Sequence, residues 1–549
     1  MSNDAARRKF IQQMAAGLAV AVPLPLLARD APAAARQAPA LDLVPQKHVF
    51  SIAEFGAVPD GTTLCTKAIQ RAVDECAKSG GGKVAVPPGR FLTGAIFLRS
   101  HIEFEVMAGA TLLGSTNMDD YPVIAGSWEG IDRQIHASMF TGMDLENVAI
   151  VGRGTIDGQG QGWWDAHIQT KALRQKLGIT EREPENPAGS LLRWPRPRMI
   201  NFYRCKNVLL RGITIVNSPS WNVHPLLCEN VWIEGLTIIN PEKSPNTDGI
   251  DPESCRNVRI CNCYIATGDD CIIMKSGYRY GAGGVPCEDI VVTNCVFGYG
   301  VSAVGIGSET AGGVRNVAIS NCVVDGGHRG INIKTSRGRG NVIENVTVSN
   351  LIMRNLTGTA LLITALAYPG EQHPPEFYVH ERQAHPVNEL TPTVRNLYMS
   401  DIVMEGVARA AGLSGLPEQF LEDVKVRNVE VHSAERGFFA EWVRGLTVEN
   451  VVVNAKGPGF DLKNIQDLEL HHVTSKKPQA QQPVIQLTGV EDAIIQFCTA
   501  ARDTGTFVQL SGTENRGIAL DMNKLGKAAK AVAFSDGATE AALEKTSLS

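Results

Sequence analysis

Three aspartates in two short motifs are the residues of this sequence best suited to chemistry. Asn246-Thr247-Asp248 is followed, about one repeat length later, by Gly268-Asp269-Asp270. Carboxyl groups held close together cannot all ionise freely, so one of them keeps its proton near neutral pH. An acid beside a base that can hold water is what hydrolysis of a glycosidic bond requires. The same oxygens, together with Asp251 and Glu253, would also suit a calcium ion, so spacing alone leaves both interpretations open.

A repeat that runs through most of the chain sets the positions of these aspartates. The segment CKNVLLRGITIVN from Cys205 returns as CENVWIEGLTIIN from Cys228, CRNVRICNCYIAT from Cys255 and CEDIVVTNCVFGY from Cys287, and weaker copies continue to Ile465. Each copy holds two runs of alternating apolar and polar residues around a central Asn or Gly, the pattern of short strands joined by a bend. Most copies start 22 to 32 residues apart. Because so short a unit cannot form its own core, neighbouring copies must stack, and the repeat predicts an all-β parallel β-helix.

Stacking of the repeats brings the aspartates together. Aligning consecutive copies places Asp248 over Asp270, with a spacing of about 4.8 Å between neighbouring strands. Asp269 lies at the entrance of its strand. Because consecutive strand residues face opposite ways, Asp269 and Asp270 can share one cleft only if the bend at Gly268 turns one of them.

Eight of the twelve cysteines occupy two positions of the repeat. They are Cys205, Cys228, Cys255 and Cys287 at one position and Cys263, Cys295, Cys322 and Cys498 at another. Free cysteine packs as a small hydrophobic residue, so we expect two interior columns that need no disulfide, although the strand spacing would permit one. No CxxC pair stands at zinc-binding spacing from a second His or Cys pair, so we expect no metal site of that kind.

Charge and the N-terminal sequence indicate an exported protein. The 549 residues carry a net charge of −5 without a basic stripe, which argues against a nucleic acid partner. Residues 1–36 combine Arg7-Arg8 with an apolar run at 14–27 and resemble a twin-arginine export signal, with an ordinary secretory signal or a membrane anchor as the alternatives. After its removal no apolar stretch approaches the roughly 20 residues needed to span a bilayer. We therefore expect a soluble monomer, periplasmic or secreted, without a membrane partner.

The remaining chain divides into a solenoid and its additions. Residues 47–500 are predicted to form the β-helix, preceded by a capping helix from about Thr63 to Lys78. A polar insertion near 159–197 is expected beside the cleft. A second insertion near 368–391 either shapes the binding site, as long loops on a regular scaffold commonly do, or is a solvated excursion. After Cys498 the repeat fades, so residues 501–549 are predicted to be a polar tail with a helix near Thr539 to Lys545.

Five motifs together resemble glycoside hydrolase family 28, the polygalacturonases and their pectin-degrading relatives. They are NSPSWNVHP from Asn217, NTDGID from Asn246, GDDCIIMKSG from Gly268, GIGSETAGGVRNV from Gly305 and INIKTSRGRG from Ile331. The resemblance implies a right-handed parallel β-helix that hydrolyses α-1,4-linked galacturonan of pectic polysaccharides with inversion and without a cofactor or metal. It also implies that Asp269 is the general acid and that Asp248 and Asp270 activate water.

Two departures from the family pattern concern the leaving side of the cleavage point. Val301 stands where the family usually has a histidine, and Asn332 replaces an arginine that would bind a carboxylate in bidentate fashion. Lys334, on the same strand face as Asn332, is predicted to meet a substrate carboxylate. Further candidates for substrate binding are Asn332 itself, Asn246, His224, Lys275, Arg329 and Tyr368, with His328, Arg337 and Arg339 as other nearby cations. The lost contacts predict slow action on plain homogalacturonan and a preference for short, terminal or substituted pectic substrates such as rhamnogalacturonan.

Two other functions remain as alternatives at this point. A polysaccharide lyase on the same fold would use calcium to acidify a sugar proton and a basic residue to remove it. A non-catalytic carbohydrate-binding β-helix would leave the aspartates unexplained. Internal and terminal cleavage are equally compatible with the sequence.

Overall fold

The computed structural model describes residues 48–179, 186, 188–277, 284–366 and 381–544, and in them the predicted right-handed parallel β-helix is confirmed. The turns of the solenoid, here called rungs, contribute their strands to three parallel sheets. The first sheet contains Val49–Ser51, Gly82–Val86, Ile102–Val106, Glu146–Gly152, Lys206–Arg211, Glu229–Glu234, Arg256–Cys261, Cys287–Thr293, Glu491–Gln496 and Arg516–Asp521.

The second and third sheets follow in the same order along each rung. The second contains Asp60–Leu64, Gly89–Thr93, Ala110–Gly114, Thr155–Asp157, Thr214–Val216, Thr237–Ile239, Tyr264–Ala266 and Val296–Phe297. The third contains Ile96–Phe97, Phe140–Met143, Ile200–Tyr203, Val223–Leu226, Ile272–Met274, Ser302–Ile306, Arg329–Lys334, Thr359–Thr364, Ile485–Thr488, Thr506–Ser511 and Lys530–Ser535. Longer strands continue around the bends from sheet to sheet: Val314–Asp325, Val342–Arg354, Thr393–Ser414, Leu421–Ala455 and Phe460–Thr474.

An asparagine near the start of each repeat makes the bend from the third sheet of one rung into the first sheet of the next. Asn207, Asn230 and Asn257 all adopt positive φ, of 56°, 58° and 57°. Asparagine tolerates this left-handed conformation better than most residues. The side-chain amides also form a ladder, because Asn230 Nδ2 donates to Asn207 Oδ1 at 3.0 Å and Asn257 Nδ2 donates to Asn230 Oδ1 at 3.1 Å. The ladder ties one rung to the next and helps to hold the register.

Both predicted cysteine columns lie in the interior. All twelve cysteines are free thiols, and all eight column members are buried. The two thiols of the predicted N-terminal helix are buried as well. That helix runs from Thr66 to Lys78, starts three residues later than predicted, and packs its Ile69, Val73 and Cys76 face into the core.

Other elements lie outside the three sheets. An antiparallel hairpin, Val123–Trp128 and Ile131–His136, and a helix, Gln161–Leu177, precede the third-sheet strand Ile200–Tyr203. Short 3-10 helices occupy Ile52–Phe55, Met118–Asp120 and Glu540–Ala542. No helix within the described ranges is long and apolar enough to cross a membrane.

The prediction of a polar tail after Cys498 is wrong. Thr506–Ser511 pairs with Ile485–Thr488 and then with Lys530–Ser535, so the solenoid continues for further rungs. The sequences of these rungs no longer match the repeat, but their strands still bury side chains such as Val508, Leu510 and Ile518. Residues 540–542 form one 3-10 turn instead of the predicted helix.

Candidate active site

The three aspartates converge at the entrances of adjacent third-sheet rungs. The backbone N of Gly249 donates to the carbonyl of Asp270 at 2.9 Å, which confirms that Asp248 lies over Asp270. One carboxylate oxygen from each of Asp248, Asp269 and Asp270 lies within 4.8 Å of the others. The bend before Asp269 needs glycine, because a Cβ on Gly268 would lie 2.1 Å from the carbonyl oxygen of Ser244.

Burial separates the three carboxyl groups into two kinds. Asp248 and Asp270 are 4 % and 3 % exposed, whereas Asp269 is half-buried. Burial, and then the charge of Asp270, raises the pKa of Asp269 to about 6. Burial and the charge of Asp269 raise the pKa of Asp248 well above its usual range. The cluster therefore holds protons near neutral pH, and Asp269 is its most accessible member.

Two lysines balance the charge of the carboxylates, Lys275 from the rung of Asp270 and Lys334 from a higher rung. Lys334 Nζ donates to Asp270 Oδ2 at 3.0 Å. Lys275 Nζ lies 3.9 Å from Asp248 Oδ2, 3.7 Å from Asp251 Oδ1 and 3.8 Å from Glu309 Oε1. One oxygen of Asp248 and one of Asp270 still have no hydrogen-bond partner among the described residues. Both atoms are buried acceptors of the kind that a bound water molecule satisfies.

Arg196 is a site residue that the sequence did not indicate. Its guanidinium donates to Asn246 Oδ1 at 2.7 Å and to the carbonyls of Pro245 and Pro219 at 2.8 and 2.7 Å. Burial lowers the pKa of Arg196 to about 9, against the attraction of Asp248, so it stays protonated at neutral pH. Arg196 therefore holds the Asn-Thr-Asp motif in place. Its only signal in the sequence was the charge-rich segment RWPRPRM within the first insertion.

The other residues predicted to bind substrate have different places. Asn246 is half-buried beside Asp248. Arg329 begins its own third-sheet strand and pairs with Ser302 of the neighbouring strand, and the backbone N of Arg329 donates to the carbonyl of Val301. His224 is fully buried. Its Nδ1 contacts the Asn201 amide at 3.0 Å, and its Nε2 contacts Glu253 Oε2 at 3.0 Å. The prediction of direct substrate contact is wrong for His224, because both ring nitrogens are occupied inside the protein.

The cations considered as replacements for the family arginine differ in availability. Asn332 itself is fully buried, and its amide donates to Ser302 Oγ at 2.7 Å. Arg337 is held by both carboxylate oxygens of Glu418 and cannot turn toward a substrate without breaking that pair. His328 is exposed beside Thr357, and Tyr368 lies outside the described residues.

The pKa of Asp269 predicts the basic limb of the activity profile. We expect kcat/KM on a pectic substrate to fall about tenfold per pH unit above about pH 6, because a general acid works only while protonated. The measurement is a profile of kcat/KM from pH 4 to 9.

Burial also raises the pKa of Asp251 to about 8 and of Glu253 to about 7. Both folded-state pKa values exceed those of the unfolded chain, so stability falls as pH rises through them.

That loss of stability requires a control. The protein is returned from each pH to pH 5 and assayed again, so that unfolding is not mistaken for loss of the catalytic proton. A reversible basic limb lying above pH 8 would contradict the assignment of Asp269 as the acid.

Comparisons with known proteins identify the family of the chain. A sequence model described as glycosyl hydrolases family 28 matches residues 76–373, more than half of the sequence. The chain belongs to glycosyl hydrolases family 28. A probable polygalacturonase of Vitis vinifera is 33% identical over 408 residues, which span 72% of this chain and 76% of that protein. An exo-poly-α-D-galacturonosidase of Dickeya chrysanthemi is 27% identical over 460 residues, 74% of each chain.

The solved structures agree with this membership. A hyperthermoactive exopolygalacturonase from Thermotoga maritima superposes with a TM-score of 0.64 and 31% identity, over 74% of this chain and 92% of that one. The family 28 protein is therefore a glycoside hydrolase of the polygalacturonase type that acts on pectic material. The alternatives of a calcium-dependent lyase and of a non-catalytic binding protein are not favoured.

Proposed function

We propose that this family 28 hydrolase cleaves α-1,4-linked galacturonan with Asp269 as general acid and with Asp248 and Asp270 as the pair that activates water. The observation that carries the assignment is the contrast among the three carboxyl groups. Asp269 is the least buried of the three, whereas Asp248 and Asp270 are buried and each keep one oxygen free of hydrogen bonds within the described part of the chain. A proton donor thus faces two acceptors across less than 4.8 Å.

The reaction follows from these positions. Asp269 gives its proton to the glycosidic oxygen as the bond to the anomeric carbon breaks, and the sugar on the leaving side departs as an alcohol. Water held by Asp248 and Asp270 attacks the anomeric carbon and loses a proton to that pair. The proton then returns to Asp269 within the cluster, which restores the starting state.

Inversion at the anomeric carbon rests on family membership. The oxygens lie closer together than the roughly 6.5 to 9.5 Å typical of inverting enzymes, so separation alone does not carry this part of the proposal. Proton NMR of the first products decides the point: the β-anomer must appear first from an α-linked substrate. Initial release of the α-anomer would show retention.

End-wise cleavage is supported by a cavity of about 270 Å³ next to Asn246. The hairpin, the helix Gln161–Leu177 and the segment before Ile200 wall it. Its charged lining comprises four cations, Arg133, Lys171, Arg174 and Arg196, and one acid, Glu129. An excess of positive charge suits the carboxylate of galacturonate. This glycone cavity lies toward the lower-numbered rungs from Asp269, away from Val301 and Asn332 on the leaving side.

We therefore infer that the glycone cavity holds the non-reducing end of the substrate, as expected of an exo-acting enzyme. Two relatives reported above carry exo names. With purified protein, time-resolved sizing on homogalacturonan and on rhamnogalacturonan should show short products from the first time points, while the remaining polymer shortens slowly. Early appearance of a broad range of long oligomers would exclude end-wise action.

Export is a separate inference from residues 1–36, which lie outside the described part of the structure. The paired arginines at 7 and 8 support the twin-arginine route, which transports folded proteins and suits a protein whose thiols are all free. Replacing Arg7 and Arg8 together by lysine should retain the protein inside the producing bacterium. Continued export of that variant would rule out this route.

A further inference from the structure

A second and larger cavity lies on the other side of the same hairpin. It measures about 760 Å³, within the range of about 300 to 1,000 Å³ usual for ligand pockets. One wall comes from the hairpin and the other from the ends of the third-sheet strands Ile200–Tyr203 and Val223–Leu226. Arg133 lines both this cavity and the glycone cavity, so the two adjoin at the hairpin. We call the larger one the branch cavity.

Two buried polar groups in the wall of the branch cavity have no partner among the described residues. They are the Nε–H of Arg198, which is 2 % exposed, and the hydroxyl of Ser127, which is 7 % exposed. A buried donor left unpaired costs free energy, and native proteins rarely keep one without a use. Both residues belong to the lining of the branch cavity.

Arg198 is held rigidly in this position. Its Nη2 donates to the carbonyl of Ser127 at 2.5 Å. Its guanidinium carbon lies 4.7 Å from the ring centroid of Trp221 and 5.2 Å from that of Trp128, and the two rings stack 4.9 Å apart at 12°. A donor fixed by stacking loses little freedom when a ligand binds, so its unused N–H favours recognition of a polar oxygen.

The charges of the branch cavity differ from those of the glycone cavity. Arg204 is occupied by Asp144 at 2.7 and 2.8 Å, and Glu253 is engaged by His224 at 3.0 Å. The other charged residues of the lining, Asp132, Arg133 and Arg198, include both signs. Much of the rest is apolar: Ile124, Ile135, Met143, Tyr203, Leu226 and Leu227. Apolar surface with a few fixed polar groups suits a neutral sugar, whose hydroxyls both donate and accept.

The branch cavity is also close enough to the reacting centre to act on the same substrate. Glu253 in its wall pairs with Lys275 across the third sheet. Lys275 Nζ in turn lies 3.9 Å from Asp248 Oδ2. Arg198 and Lys275 also contact the same ring, because they lie 4.7 and 4.4 Å from the ring centroid of Trp221. Arg198 in the cavity wall is thus joined to Asp248 through Trp221 and Lys275, which places the cavity within reach of a group attached to the sugar in the glycone cavity.

We propose that the branch cavity binds a neutral sugar substituent carried by the terminal galacturonate, so that the enzyme prefers substituted chain ends. This inference rests on the proposed exo action. The glycone cavity takes the acidic sugar of the main chain, and the branch cavity takes its neutral side group. Arg198 Nε and Ser127 Oγ hydrogen-bond to hydroxyls of that group.

The test compares two trigalacturonates, one unsubstituted and one with a single xylosyl group on its non-reducing end. Wild-type protein should show a kcat/KM at least tenfold higher for the substituted compound. Ala125 is exposed and lines the branch cavity, so Ala125→Trp should fill it and bring the ratio close to one. Val123→Trp is the matched control, because Val123 is exposed on the same hairpin strand outside the cavity lining and should keep the wild-type ratio.

A milder variant guards against disturbance by the bulky tryptophan. Ser127→Ala removes one unpartnered hydroxyl and should lower the ratio at least twofold. A wild-type ratio near one, or a ratio that Ala125→Trp and Ser127→Ala both leave unchanged, would overturn the branch cavity as a binding site. Absence of hydrolysis of both compounds by wild-type protein would instead contradict the proposed function itself.

Discussion

Asp269→Asn is expected to lower kcat by about 10²-fold or more, because it removes the proton donor at unchanged side-chain volume. The fold should remain intact. Burial raises the pKa of Asp269 to about 6, so at pH 7 its carboxylate is held in a place that opposes ionisation. A neutral amide avoids this cost, and the melting temperature at pH 7 should be equal to or higher than that of the wild-type protein. Initial rates and thermal unfolding at pH 5 and pH 7 provide the measurements.

An exposed aspartate provides the matched control. Asp467 lies in a later rung at positive φ, a conformation that asparagine accepts equally well, so Asp467→Asn should match the wild-type rate and melting temperature. Retention of more than about a tenth of the activity by Asp269→Asn would contradict its role as the acid. Asp248→Asn and Asp270→Asn should also be severely impaired, through loss of water activation.

Lys334→Ala is expected to lower kcat by at least about tenfold and to raise KM as well. Lys334 was predicted from the sequence to meet a substrate carboxylate, and the structure adds its 3.0 Å ion pair with Asp270. Removing one partner of a buried pair leaves an uncompensated charge, which typically costs about 3 to 5 kcal/mol. The pair that activates water should therefore be impaired together with substrate binding, and initial rates over a range of substrate concentrations give kcat and KM separately.

Lys334→Arg separates charge from general disruption. It keeps a cation near Asp270 and should recover part of kcat and most of the lost stability. Lys463→Ala, at a half-exposed lysine of a later third-sheet rung, should change neither kcat nor KM. A rise in KM for Lys334→Ala with unchanged kcat would show that Lys334 only binds substrate.

Much of the fold and the convergence of the aspartates followed from the sequence alone. Repeat length and period-2 alternation are local properties, and parallel strands stack in one register when each rung must bury the same apolar positions. That register places Asp248 over Asp270. It also explains the two cysteine columns, because a position that points inward in one rung points inward in the next.

Only the tertiary structure decided what surrounds the aspartates. Arg196, Glu309 and the two cavities come from insertions and loops with no repeat, so their distance from Asp248 could not be read from spacing. His224 and Asn332 were assigned to the substrate by their motifs, yet folding turns both inward to hydrogen-bond with Asn201, Glu253 and Ser302. The last rungs still alternate buried and exposed side chains, although their sequences no longer match the repeat. Which side chains are buried is decided by the stacking of the rungs. The solenoid therefore continues beyond the point at which the repeat can be recognised in the sequence.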